Sequence, residues 1–233
     1  MEIRQYINNV SSDVPSVAVL AFSKETEHLL LRVAQFNTRQ IGLRLEPLDA
    51  LIRQRYGSGE GMSRKETYHA VKRLEGYLAE FAAGLQEKPL KLEEVAVLER
   101  ALRAVRAAIY SAKSLRDIRK DLKEFELLDA NELNQQISEM KQNLLGIYTR
   151  LTSTIKSKED EKGLPADVLM EIIGELGEAM GEVKRGLYER ADELPLSHRD
   201  LSTLLNVEKE LSTSTRTLLE AFLEAGQRAH SAP

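Results

Sequence analysis

The 233-residue chain has no cysteine and no tryptophan, and aromatic residues make up only 5% of it. Without cysteine, disulfides, thiolate metal ligands and cysteine nucleophiles are excluded, and a reducing compartment fits. Long apolar runs are missing too. The longest charge-free stretch near the N-terminus, VPSVAVLAF, falls well short of the roughly 20 residues a membrane-spanning helix needs. It also lacks the basic leader and small-residue cleavage site of a secretory signal. No excess of positive charge exists, since the formal net charge is −4, so composition gives no reason to expect nucleic acid or an anionic membrane as partner. The chain reads as soluble and cytosolic. What is present is Leu, Ala, Glu, Lys and Arg, with 42% hydrophobic and 30% charged residues and few β-branched runs. That is the composition of a globular all-helical protein.

Residues 1–22 show no sustained period and include Asn8, Asn9, Ser11, Ser12 and Pro15, which predicts a flexible N-terminal arm. Six long helices follow. The first runs from Ser23 to about Glu46, where Pro47 disfavours helix in the residue before it, with a short continuation to Tyr56 ahead of GSGEG. The second opens at Ser63, with Glu66 completing a capping box, and ends near Gln86. The third spans about Leu92 to Phe125. Asp129 caps the fourth, with Glu132 reciprocal and Leu128 and Leu133 as a staple. Along the fourth, Leu133, Ile137, Met140, Leu144, Ile147, Leu151 and Ile155 alternate by four and three, which is a heptad seam. The fifth enters at Pro165 and buries Leu169, Ile172, Leu176, Met180, Val183 and Leu187. The sixth is capped by Ser197 with Asp200 and stapled by Leu196 and Leu201, running to about Ala225. Helices this long joined by short loops lie antiparallel. The expected architecture is one elongated bundle of two three-helix units, residues 23–125 and 129–226, with a tail at 227–233.

Two stretches, SKETEHLLLRVAQF and RKETYHAVKRLEGY, share Lys-Glu-Thr-x-His and so carry the pairs Glu25/His28 and Glu66/His69. Two Glu-x-x-His pairs are half of what a four-helix di-iron site requires, provided that they point into the core. At about 100° per residue, the first helix centres its apolar stripe on Leu29, Leu30, Val33 and Ile41, which puts His28 nearly opposite. In the second helix Leu74, Tyr77, Leu78, Phe81 and Leu85 define the stripe, and His69 points away. Glu208 is the nearest further carboxylate in the last helix, where Val207 can fill the seam instead. Both pairs therefore read as helix-start chemistry facing solvent.

Other signals are weak. GSGEGMSRK lacks the Gly-Lys-Ser/Thr ending of a phosphate-binding loop. Glu171, Glu175, Glu178 and Glu182 form a solvated acidic face. Arg100, Arg103, Arg106, Lys113 and Lys120 make a basic strip among acidic neighbours, without the interleaved aromatics of a nucleic-acid surface.

The stretches RAAIYSAKSLRDIRKDL and STLLNVEKELSTSTRTLLEAF, with VPSVAVLAFSKETEHLLLRVAQF before them, resemble the PhoU-like domain that follows the membrane part of bacterial sodium–phosphate cotransporter family proteins. The resemblance extends over nearly the whole chain in helix order. It implies six helices in two three-helix units and a regulatory, non-enzymatic role in phosphate uptake or phosphate signalling. The implied partner is a membrane phosphate transporter, in cis or in trans, or a phosphate-signalling kinase, with a homodimer as a further form. The implied location is the cytosolic face of the inner membrane. No catalytic residue or obligatory cofactor is implied. Many PhoU proteins bind metal clusters through acidic motifs of four-residue spacing, and Asp117 and Asp121 match that spacing as ligands for a divalent or iron-type cation. Arg116, Arg119, Lys120 and Lys123 surround this pair, and Asn206 and Glu210 stand where a second acidic motif is expected. These departures favour an ordinary surface charge pair. The chain is either a transporter's soluble segment or a standalone relative. Two rivals remain: a metal-dependent helical-bundle enzyme using Glu25, His28, Glu66 and His69, and a structural or oligomerisation module built on the heptad seam.

Overall fold

A computed structural model describes residues 4–8, 10–11, 13–57, 63–127, 131–157, 164–192 and 196–226, without the side chains of Asn131 and Glu132. The element order is α1 (Pro15–Gln40), α2 (Glu46–Tyr56), α3 (Arg64–Gln86), α4 (Leu92–Asp117), α5 (Arg119–Glu126), α6 (Asn131–Ser157), α7 (Ala166–Glu189) and α8 (His198–Gly226). The described residues contain no strand. Six helices exceed 20 residues, and α2 and α5 are short. The protein is all-α, as composition and periodicity predict.

Direction can be read from side-chain pairs. Phe22 stacks with Phe81 and Phe36 packs on Tyr68, so α3 runs antiparallel to α1. Ser23 and Ala101 line one small cavity and Asn37 meets Ser111, so α4 runs parallel to α1. Arg103 pairs with Glu224 and Ser111 with Ser214, which makes α8 antiparallel to α4. Asn143 reaches the Ala179 carbonyl and Arg150 reaches Glu171, so α6 and α7 are antiparallel. Thus α1, α3 and α4 pack on one another, and α7 packs on both α6 and α8. The most extensive helix packing is α4 on α8, and one apolar core runs through all the helices.

Sequence periodicity places α6 and α7 well: all seven seam residues from Leu133 to Ile155 are buried, as is the whole stripe from Leu169 to Leu187. The seam of α6 packs within this chain, chiefly on α7 and α2. Caps also form as expected. Ser63 and Glu66 exchange their two hydrogen bonds, and Ser197 accepts from the Asp200 amide. Leu128, Asp129, GSGEGM after Tyr56 apart from its first residue, and the tail at 227–233 lie outside the described residues.

Two boundaries differ from expectation. The first helix starts at Pro15 rather than at Ser23, inside the span expected to be an arm, and the missing N–H of Pro15 costs nothing in a first turn. Ala18, Val19, Ala21 and Phe22 are buried, and upstream Ile7 is buried as well. At its other end α1 stops at Gln40 rather than near Glu46. Gly42 takes φ 80°, Leu43 N–H donates to the Thr38 carbonyl (2.9 Å) and Gly42 N–H to that of Arg39 (3.3 Å). This pairing at a left-handed glycine is a Schellman stop. The expected third helix is interrupted at Ile118, which separates α4 from α5.

Candidate functional site

A group of buried ionisable side chains lies on α1, where it is crossed by the N-terminal segment and by the end of α2. Glu25 and His28 are both buried, which corrects the expectation that the pair faces solvent. The stripe argument fails because α1 has no single buried stripe. It packs against α2, α3, α4, α6 and α8, and from His28 to Gln40 no residue of it is exposed. The signal available in sequence was the run LLLRVAQF immediately after His28, which leaves Arg32 as the sole charge on any face.

One oxygen of Glu25 accepts three successive backbone N–H groups, from Gln5 (2.8 Å), Tyr6 (2.7 Å) and Ile7 (3.3 Å). The other lies 2.8 Å from His28 Nδ1, while Arg32 Nε–H donates to His28 Nε2 at 3.1 Å. Because Arg32 can only donate, Nε2 is an acceptor and Nδ1 carries the proton given to Glu25. The imidazole stacks on the Tyr56 ring with centroids 4.0 Å apart, and Tyr6 meets Tyr56 edge-on at 6.4 Å. Arg4 covers Tyr77 at 4.3 Å, and Lys24 lies over Tyr6 at 5.7 Å.

Burial raises the Glu25 carboxyl's affinity for a proton. The hydrogen bonds from His28 and from the Tyr6 and Gln5 amides outweigh that effect and hold its pKa below the usual carboxylate value. Burial pushes the His28 pKa down, and Arg32 adds to this, against the opposing pull of Glu25. The site therefore holds an ionised Glu25 and a neutral His28 at pH 7. Burial, with the nearby charges of Tyr6 and Glu27, keeps the Tyr56 phenol protonated well above its ordinary range. Chemically this is a clasp: a buried carboxylate that pins main-chain N–H groups, backed by an imidazole that is itself bonded at both nitrogens.

Glu66 and His69 are exposed, as expected, and Glu66 serves the Ser63 cap. Tyr68 beside His69 packs on Phe36, eight residues past His28, or about 12 Å of helix rise, so the two Glu-x-x-His pairs do not converge. Glu208 is buried alongside Val207, and burial raises its pKa against the attraction of Lys184. Among the described residues no group of three or more His, Asp and Glu side chains is arranged to hold a metal ion.

Asp117 and Asp121 fall on either side of the Ile118 break, the first ending α4 and the second in the first turn of α5. Asp117 accepts from Arg116 Nε (3.0 Å) and Nη2 (2.8 Å), and Arg116 stacks on Tyr68 at 4.7 Å. Arg119 pairs with Glu126 and Lys120 with Glu124, while Glu210 accepts from Ser114. On the acidic face of α7, Arg150 is shared between Glu171 and Glu175.

A second polar centre, which sequence periodicity does not announce, lies at the middle of the core. Asn37 donates to Ser111 Oγ (2.8 Å), Ser111 donates to the Ser214 carbonyl (2.7 Å), and Ser214 Oγ returns a bond to the Ser111 carbonyl (3.0 Å). These buried bonds tie α1, α4 and α8 together. Small hydroxyls at the α4–α8 contact let the helices approach closely while both hydroxyls stay bonded.

No helix among the described residues is long and apolar enough to cross a membrane. No family model matches the chain, and no curated protein or solved structure matches it.

Proposed function

We propose that the chain is a non-enzymatic regulatory module of the PhoU-like kind, acting in phosphate uptake or phosphate signalling through contacts of its helix surfaces. The observation that carries this reading is the closure of the Glu25–His28 cluster by the chain itself. Both carboxylate oxygens and both ring nitrogens are bonded internally, so the most reactive-looking groups hold the N-terminal segment down instead of facing a substrate. What remains on offer is helix surface. The resemblance adds support: its stretches lie on α1, on α8, and across α4 and the start of α5, and α1, α4 and α8 pack on one another.

In this role the module docks on a membrane phosphate transporter, as its cytosolic domain or as a separate chain, or on a phosphate-signalling kinase at the cytosolic face of the membrane. Any cation at Asp117 and Asp121 is an accessory to docking and performs no chemistry. The rival oligomerisation reading loses its main argument, since the α6 seam is spent on α7 and α2 of the same chain. The test is deletion of the coding sequence in its host, with labelled phosphate uptake measured in phosphate-rich and phosphate-poor medium. The module role predicts uptake no longer matched to supply. Uptake and its response to starvation that are identical with and without the chain would overturn it.

A further inference from the structure

The outward face of α3 carries an order of charge that does not help the helix it sits on. α3 packs on α1 and α4 and buries Leu74, Leu78 and Leu85. At about 100° per residue, the opposite side is centred on Gly76. Lys65 and Lys72 lie on that side before Gly76, and Glu80 and Glu87 lie on it after; all five residues are exposed. A helix dipole favours acid near the N-terminus and base near the C-terminus, and this row has the reverse order. In the first turn only Glu66 is acidic, where it serves the Ser63 cap, and the last turn holds no base. Gly76 is unfavourable too, since glycine weakens a helix interior, and a Cβ added there would meet nothing within 4 Å. No contact within the chain requires the glycine.

Both features suit a second copy of α3 laid antiparallel across the first. We propose that this face is a self-complementary interface through which two copies of the chain pair, α3 against α3, with Gly76 at the crossing point. Residues equally distant from Gly76 then meet, so Lys65 faces the partner's Glu87 and Lys72 faces the partner's Glu80. The two-fold axis repeats each pair, which gives four Lys–Glu pairs. A parallel arrangement would set Lys on Lys and Glu on Glu, so the charge order selects the antiparallel one. Among the described residues Lys65, Glu80 and Glu87 make no ion pair, and Lys72 exchanges its pairing with Glu75 in the same helix. The missing side chain of Gly76, and Ala83 opposite the partner's His69, let the two backbones approach. The α6 seam stays inside each protomer, so the pairing joins finished bundles.

Sedimentation velocity of the full chain over about 1–300 µM, in about 50 mM and about 500 mM salt, tests this. The expected result is a reversible monomer–dimer equilibrium whose dissociation constant rises about tenfold at the higher salt. Lys65→Glu with Lys72→Glu should be monomeric by itself, and so should Glu80→Lys with Glu87→Lys, because each sets like charges against each other. Mixed, the two variants should associate one to one, since all four pairs are restored. The substituted positions are exposed, so each variant should keep the parent's circular dichroism. Should either double variant fail to fold, Lys72→Glu mixed with Glu80→Lys reads the same exchange. A chain that is monomeric throughout that range, a dimer that neither variant weakens, or folded variants that stay apart when mixed would each overturn the interface.

Discussion

Glu25→Gln preserves side-chain volume but leaves one carbonyl oxygen where two oxygens served four donors. The remaining oxygen can accept from His28 or from the Gln5, Tyr6 and Ile7 amides, while the new NH2 group faces whichever is left. Hydrogen bonds to a charged acceptor are each worth about 1.5–3 kcal/mol, but they are not additive. Residues 4–8 can also lift away and bond to water, which caps the loss at the free energy of docking that segment. The expected cost is therefore about 2–3 kcal/mol, including the burial of Ile7. For a chain of this size that lowers Tm by about 5–10 °C. Hydrogen exchange separates local undocking from general weakening: amide protection at residues 5–7 should fall by about 30-fold or more, with α6 and α7 changing far less. A Tm within about 1 °C of the parent together with unchanged protection at 5–7 would refute the clasp.

The two histidines should behave oppositely. His28→Ala removes the Tyr56 stack and strands Glu25 and Arg32, costing about 3 kcal/mol in urea denaturation, whereas exposed His69→Ala should stay within about 0.5 kcal/mol. Acid should weaken the fold in two stages. The folded His28 pKa lies below its ordinary 6.5, so the unfolded chain binds a proton first and stability falls as pH drops from about 6.5 towards the folded value. The folded Glu25 pKa lies below 4.5, so its contribution is lost as pH falls further, through that lower value. Denaturation curves collected from pH 7.5 to 4 should show the first slope, and His28→Gln should remove it. Ser111→Val leaves the Asn37 NH2 group without its acceptor in the core, and should cost about 1–3 kcal/mol without loss of helical circular dichroism at low temperature.

Much of the fold was legible because period and caps are local. The α6 seam, the α7 stripe and the Ser63 and Ser197 caps depend on residues within two turns of each other, and each appears as expected. What local pattern could not show is how many neighbours a helix has. A single-stripe reading suits a helix on the surface, and it misplaces His28 because α1 is surrounded. The stretch from Val14 to Phe22 escaped because its exposed side is apolar too, with Val14, Val17 and Leu20 there and Ala18, Val19, Ala21 and Phe22 on the buried side, so polarity does not alternate. Ile41-Gly42-Leu43 held a helix stop that was overshadowed by the more conspicuous Pro47. Asn37, Ser111 and Ser214 carry no motif at all. They acquire meaning only when α1, α4 and α8 bring residues more than 70 positions apart into contact.

The claim that His28 is a closed, structural imidazole is tested most directly by long-range 15N NMR of the histidine rings during titration with Zn2+ and Fe2+. At neutral pH the His28 ring should show the Nδ1–H tautomer, and its signals should hold their positions through an excess of either metal while exposed His69 responds. A His28 ring in the Nε2–H form, or one whose signals shift or broaden at stoichiometric metal, would contradict the clasp and return Glu25 and His28 to the metal ligands.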